Sequence, residues 1–220
     1  MTITYLGHSS FKLKGKKGTV VTDPYHEYVG FRMPSTSADI VTVSHDHQDH
    51  NAIEQISGTA RRKNPFIINQ AGEYEVGGIS VFGVPSYHDD KQGSLRGNNI
   101  IFTTLIDHVS VCHLGDLGHD LTPALIEAIG SVDVLLIPVG GVYTIDPKLA
   151  TKIIHTLEPA YAIPMHYRTP EHDNKVFGEL ATLEEFIKEY GAEPQILSKL
   201  EVDKLRLPEE TELISLTPLT

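Results

Sequence analysis

Between Ser44 and His50 the chain reads Ser-His-Asp-His-Gln-Asp-His. His45, His47, Asp49 and His50 form the pattern H-x-H-x-D-H. Imidazole and carboxylate are ligands that divalent zinc, manganese and iron prefer. So many ionisable groups in so short a segment are costly beside a folded core unless a cation uses them. The run follows Asp39-Ile40-Val41-Thr42-Val43, which reads as a buried strand. The candidate ligands therefore lie just past a strand end, where open α/β sheets place their sites.

Three further candidates share that position. The run Val81–Tyr87 ends at His88, Val109–Leu114 at Gly115-Asp116, and Ala160–Met165 at His166. Taken singly, His88 reads as a loop or core histidine, Asp116 as a turn cap, and His166 as a partner for a backbone carbonyl. Their common place after apolar runs makes them ligand candidates. Asp23, in Thr22-Asp23-Pro24, is either a turn cap or the carboxylate that orients a ligand imidazole.

The elements that must hold these residues are readable from pattern. Strands are expected at Ile3–Leu6, Phe11–Leu13, Thr19–Thr22, Phe66–Ile68, Ile79–Val84, Ile100–Ile106 and Val109–His113. A hairpin spans Lys12–Lys17, with Gly15 and Gly18 at its turn, and a helix is expected from Asn51 to Gly58. The second half alternates helix and strand. Thr122-Pro123 starts a helix that Gly130 closes, and Asp146-Pro147 caps another that stops before Pro159. Thr182-Leu183-Glu184-Glu185 is a capping box with Gly191 as the stop. Val132–Val139, Ala160–Ile163 and Glu212–Leu216 are the remaining strands. The expected architecture is α/β (α+β): a four-layer αββα sandwich forming one domain over residues 1–220, with its cleft where the two sheets meet.

Composition limits the partners. The chain has 220 residues, 40% of them hydrophobic, and a formal charge of −11. Such an acidic surface disfavours a nucleic-acid groove, and Arg61-Arg62-Lys63 reads as a solvated loop. No apolar run approaches the ~20 residues that span a bilayer, and Met1–Tyr5 reads as a strand rather than a signal peptide. The single Cys112 makes no internal disulfide, so a cytoplasmic location is expected. Its alternation with His113 makes it a buried strand residue rather than a nucleophile.

With these residues in view, the chain resembles the metallo-β-lactamase fold superfamily of metal-dependent hydrolases. Tyr5-Leu6-Gly7-His8-Ser9-Ser10-Phe11, the segments His113–His119 and Pro138–Asp146, and Pro164-Met165-His166-Tyr167-Arg168-Thr169 resemble its compact branch, which includes L-ascorbate-6-phosphate lactonase-like proteins. The resemblance implies two divalent metal ions, zinc or manganese first, with iron and nickel also compatible. It implies that His45, His47 and His88 hold one ion, that Asp49, His50 and His166 hold the other, and that Asp116 bridges them. A hydroxide shared by both ions then attacks a small ester, lactone or phosphoester, and Asp49 helps to orient it. Asp116, Asp49 and His119 are the catalytic candidates, His119, three residues after Asp116, as an acid, a substrate contact or else an exposed loop histidine. Asp23, His8, Arg96, Tyr143, Tyr167 and Arg168 are candidates for supporting the ligands or reading the substrate, which is expected to be a small and anionic molecule. Each of these six also has an ordinary surface or packing reading. His26, His108, His155 and His172 are read as surface or structural. Relatives of this kind are commonly homo-oligomers, while hydropathy and net charge argue for no membrane and no nucleic-acid partner. Two other readings fit the same ligands: an iron-dependent redox enzyme and a non-catalytic metal-binding scaffold.

Overall fold

The computed structural model describes residues 1–219. Seven strands come first: β1 (Thr2–Gly7), β2 (Ser10–Lys14), β3 (Thr19–Thr22), β4 (Thr36–Ser37), β5 (Ile40–Thr42), β6 (Ile56–Ser57) and β7 (Phe66–Ile68). Four antiparallel strands follow: β8 (Gly72–Val76), β9 (Ile79–Tyr87), β10 (Asn98–Ile106) and β11 (Val109–His113). Helices and strands then alternate: α1 (Pro123–Ile129), β12 (Val134–Pro138), α2 (Pro147–Leu157), β13 (Tyr161–Met165), α3 (Asn174–Phe177) and α4 (Leu183–Tyr190). β14 (Gln195–Leu197), β15 (Leu200–Glu201) and β16 (Glu212–Leu216) complete the order.

These strands form a six-stranded sheet, β15-β1-β2-β3-β5-β7, and an eight-stranded sheet, β14-β16-β13-β12-β11-β10-β9-β8, besides the small β4-β6 pair. Strand periodicity separates the cores. In β12, Val134 and Leu136 face the other sheet, whereas Leu135 and Ile137 face the helices. Between the sheets, Ile3, Phe11, Val20 and Ile40 pack with Val81, Phe102, Val111 and Ile163. Ile129, Ile153, Ile154 and Phe186 cover the outer face of the larger sheet.

Local chemistry explains the helices. Thr122, Asp146 and Thr182 each accept a hydrogen bond from the first turn of α1, α2 and α4, and Pro occupies the start of α1 and α2. Thr182 and Glu185 form the reciprocal capping box, and Gly191 stops α4 in the left-handed region. The layout is the expected two-sheet sandwich, but its outer layer over the smaller sheet is mostly not helical. There Tyr25, Val29 and Met33 from connecting segments and Ile56 from β6, with Phe177 and Leu180, cover Leu6, Val21 and Val41.

The helix expected over Asn51–Gly58 does not form. A single 3-10 turn, Ile53–Gln55, leads directly into β6. Ile56 pairs in register with Thr36 and buries its side chain against the smaller sheet, which a helix at this position would not allow. Among the described residues, no helix is long and apolar enough to cross a membrane.

Candidate metal centre

Both sheets deliver ligand types to one end of the sandwich. The H-x-H-x-D-H loop leaves β5, His88 leaves β9, Asp116 follows β11 and His166 follows β13. At their meeting point, Asp116 Oδ2 lies 3.3 Å from Nε2 of His50, His88 and His166, and 3.9 Å from Nε2 of His45. His45, His47 and His88 can each turn one ligand atom toward a common point, and so can Asp49, His50 and His166 together with His8. Atoms within each group lie within 4.8 Å of one another.

The donor set fits divalent cations. His45 Nε2, His50 Nε2, His166 Nε2 and Asp116 Oδ1 are buried and have no hydrogen-bond partner. Leaving a buried polar atom unpaired costs about 1–3 kcal/mol. Each of the two ligand groups contains such atoms, and a cation that accepts their lone pairs would relieve them.

Hydrogen bonds behind the ligands fix their orientation. Asp23 accepts from the Ser44 backbone N–H at 2.8 Å and from the Ser44 hydroxyl at 2.5 Å. It also accepts from His50 Nδ1 at 2.8 Å. That bond keeps a proton on His50 Nδ1 and turns Nε2 toward Asp116. Because the Ser44 hydroxyl donates to Asp23, it accepts from His45 Nδ1 at 2.9 Å, and His45 Nε2 is bare. One carboxylate thus orients two imidazoles.

Backbone geometry is equally constrained. Gly115 has φ +56°, and a Cβ there would lie 2.3 Å from Asn99 Oδ1, which accepts the Asp116 backbone N–H. At Gly140 a Cβ would meet the His166 carbonyl oxygen at 2.1 Å. His8, Asp23 and His166 all have positive φ, at 53°, 37° and 53°. Such conformations are uncommon outside glycine and concentrate where structure serves a site.

The electrostatics describe a pocket that calls for positive charge. Burial opposes ionisation of Asp116, yet His166 and His50 hold its carboxyl well below the usual range. Burial acts the same way on Asp49, and His50 and His8 outweigh it and lower that group too. His50 responds in reverse: burial disfavours its proton, but Asp116 and Asp49 raise its pKa well above the ordinary value. His45 is lowered well below its usual range, first by burial and then by His50. Burial and His166 bring His8 down to about 4, and burial and His8 bring His172 down to about 3.

Residues 2–166 match the beta-lactamase superfamily domain. The chain belongs to the metallo-β-lactamase superfamily. Among its relatives in that superfamily, a UPF0173 metal-dependent hydrolase of Archaeoglobus fulgidus is 33% identical over 77% of this chain and 84% of its own length. One of Carboxydothermus hydrogenoformans is 32% identical over 77% of this chain and 85% of its own. A Thermotoga maritima structure, classed as a Zn-dependent hydrolase of the superfamily, aligns with TM-score 0.79 and 36% identity, covering 98% of this chain and 97% of that one.

The superfamily ligand types converge, but several other candidates lie elsewhere. Asp23 and His8 are in the cluster, His8 with Nε2 3.3 Å from Asp49 Oδ2. His119 is not: its Nε2 accepts the Tyr87 backbone N–H, and its Nδ1 donates to the Asp120 carbonyl. It lines a separate groove of about 750 Å³ along α2, which contains none of the clustered ligands. Tyr167 is buried in the core between the larger sheet and its helices. Arg168 donates to the Gly178 carbonyl, on a face away from the ligands. Arg96 and Tyr143 do meet at the site, the guanidinium 5.5 Å from the ring centroid. A cleft of about 540 Å³ is lined by Arg96, Asn69 and Asn98 together with His45 and His47.

Two residues near the ligands carry no sequence signal of their role. His172 is buried beside His8, and Tyr28 overhangs Asp49. Burial, and then the charge of Asp49, push the Tyr28 phenol well above its usual range. His172 follows Glu171 in a polar loop, and Tyr28 sits in His-Glu-Tyr-Val, so neither belongs to an apolar run or a ligand motif.

Proposed function

We propose that this chain is a metal-dependent hydrolase that holds two divalent cations, zinc or manganese, and cleaves a small anionic ester, lactone or phosphoester. The carrying observation is the arrangement of four imidazole Nε2 atoms around Asp116 Oδ2, three of them at 3.3 Å. His45, His47 and His88 would hold one cation, Asp49, His50 and His166 the other, with Asp116 between them. Divalent cations held there supply Lewis acidity toward a carbonyl or phosphoryl oxygen and a nucleophilic form of water at neutral pH.

The rest of the work falls to the chain. Asp23 keeps the His50 and His45 Nε2 atoms aimed inward. Arg96, braced on the face of Tyr143 and lining the cleft beside His45 and His47, suits a carboxylate or phosphate on the substrate. The Tyr28 phenol stays protonated at neutral pH and can donate a hydrogen bond to a substrate oxygen near Asp49. Membership of the superfamily and likeness to metal-dependent hydrolases support this reading.

The test pairs elemental analysis of untagged protein with hydrolysis assays on generic ester, lactone and phosphodiester substrates after zinc or manganese loading. About two cations per chain are expected, with turnover lost in Asp116→Ala. One iron per chain, or two cations with no hydrolysis, would replace this reading with redox chemistry or a binding role.

A further inference from the structure

Asp49 has a support that the ligand motif does not announce. His172 Nε2 lies 3.2 Å from His8 Nδ1, and His8 Nε2 lies 3.3 Å from Asp49 Oδ2. At the far end, the Thr169 backbone N–H lies 3.1 Å from His172 Nδ1. We propose that His172 and His8 are positioning residues, forming a one-way hydrogen-bond chain that holds Asp49 Oδ2 and leaves His8 outside the ligand set.

Direction follows from the two ends. A backbone N–H can only donate, so His172 Nδ1 accepts and the proton of its neutral ring is on Nε2. That N–H donates to His8 Nδ1, which places the His8 proton on Nε2. An ionised carboxylate can only accept, so the last link runs from His8 Nε2–H to Asp49 Oδ2. The Thr169 hydroxyl, 2.9 Å from His172 Nδ1, donates in the same sense.

The environment holds the chain in place. His8 and His172 are 1% and 4% exposed, so solvent does not compete for their ring nitrogens. Phe177 sits against both imidazoles, at centroid distances of 5.1 Å and 5.4 Å, and Phe31 lies 5.1 Å from His172. His8 is in the turn between β1 and β2, with its carbonyl accepting from the His166 backbone N–H. His172 lies in the loop between β13 and α3. The two imidazoles therefore join distant parts of the chain across the ligand cluster.

By distance alone, His8 belongs with Asp49, His50 and His166 as a fourth ligand. The direction of the bonds decides against that. An Nε2 that carries a proton has no lone pair for a cation. His8 instead does for Asp49 what Asp23 does for His50: it fixes one ligand from behind.

The inference rests on the reading of Asp49 as a ligand, and its test is separate from turnover. Protein labelled with ¹⁵N at histidine would be observed by long-range ¹H–¹⁵N correlation, first stripped and then loaded with zinc. His8→Gln and His172→Gln spectra supply the assignments. Both imidazoles are expected to carry the proton on Nε2 before and after zinc. A zinc-dependent loss of the His8 Nε2 proton would make His8 a ligand and overturn the proposal, as would a proton on His172 Nδ1. In competition with a chelator, His172→Leu should weaken one of the two zinc equivalents by roughly 10–100-fold. His172→Gln, whose amide can donate to His8, should stay within a few-fold of wild type. Equal loss in both variants, or equal weakening of both equivalents, would reduce His172 to a packing residue. Absence of hydrolysis with these results intact would count only against the hydrolase reading.

Discussion

His45, His47 and His88 form a flank that reaches solvent through the exposed His47 and opens on the Arg96 cleft. Asp49, His50 and His166 form the opposite flank, in which every residue is buried. Support behind the ligands differs in the same direction. On the buried flank Asp23 backs His50 directly and the His172–His8 chain backs Asp49, with His166 Nδ1 unpartnered, whereas on the open flank His45 is backed only through Ser44 and His88 Nδ1 has no partner. A closed and braced flank faces an open and adaptable one across Asp116. Orientation from behind is bought with burial, and the open side is left for exchange and for substrate.

The largest expected consequence is stepwise loss of cations. A chelator in limiting amount should remove one equivalent at least roughly tenfold faster than the other, with the braced flank retaining its cation. Stopped-flow release monitored by a zinc indicator would read two phases. A single phase would mean that the two flanks act as one unit through Asp116.

A smaller effect should separate the open flank from the chemistry. Arg96→Ala is expected to raise KM for anionic substrates about tenfold, with kcat changed much less, because the guanidinium contributes binding rather than bond cleavage. Neutral analogues should be indifferent to the substitution. Steady-state kinetics on a charged and neutral substrate pair gives the comparison, and an equal fall in kcat for both would move Arg96 into the reacting region.

The smallest effect concerns the loop that carries Arg96. Asp89 accepts four backbone N–H bonds, from Lys91, Gly93, Leu95 and Arg96. Burial opposes its charge, but these donors prevail and bring its carboxyl from 3.8 to about 2. A lowered carboxyl adds stability above its unfolded pKa, and that stability is lost as pH falls through the folded value. Asp89→Asn should therefore melt below wild type at pH 7, and the gap should narrow between about pH 4 and about pH 2. Paired thermal scans read this gap, and a gap that stays constant across that window would deny the carboxylate its part in shaping the loop.

The support behind Asp49 is less legible in the sequence than the ligand candidates themselves. H-x-H-x-D-H announces itself because its ligands are adjacent in sequence, and the β-branched runs before His88, Asp116 and His166 locate the later ligands at strand ends. Thr122, Asp146 and Thr182 announce their helices because caps are local chemistry. His172 and His8, by contrast, are 164 residues apart, and nothing local marks their encounter. The charged edge strand Gly72–Val76 hides its identity because one face meets solvent, so no apolar run forms. Asn51–Gly58 misleads for the opposite reason: its spacing suits a short helix, but Ile56 is claimed by Thr36 and by the core beneath it. Tyr167 and Arg168 follow His166, which joins the cluster, yet the backbone turn after it carries them away.

Thr2 and Ile3 pair with Glu201 and Leu200, and the Met1 amino group reaches the Val202 carbonyl. In biosynthesis this seam closes late. At roughly 5–20 residues per second, some 10–40 seconds of translation separate the emergence of β1 from that of β15. Until then one edge of the smaller sheet offers unpaired N–H and C=O groups to any neighbouring strand. Such long-range closure also slows folding itself. The nascent chain is thus most exposed to aggregation along β1, the strand that leads into His8.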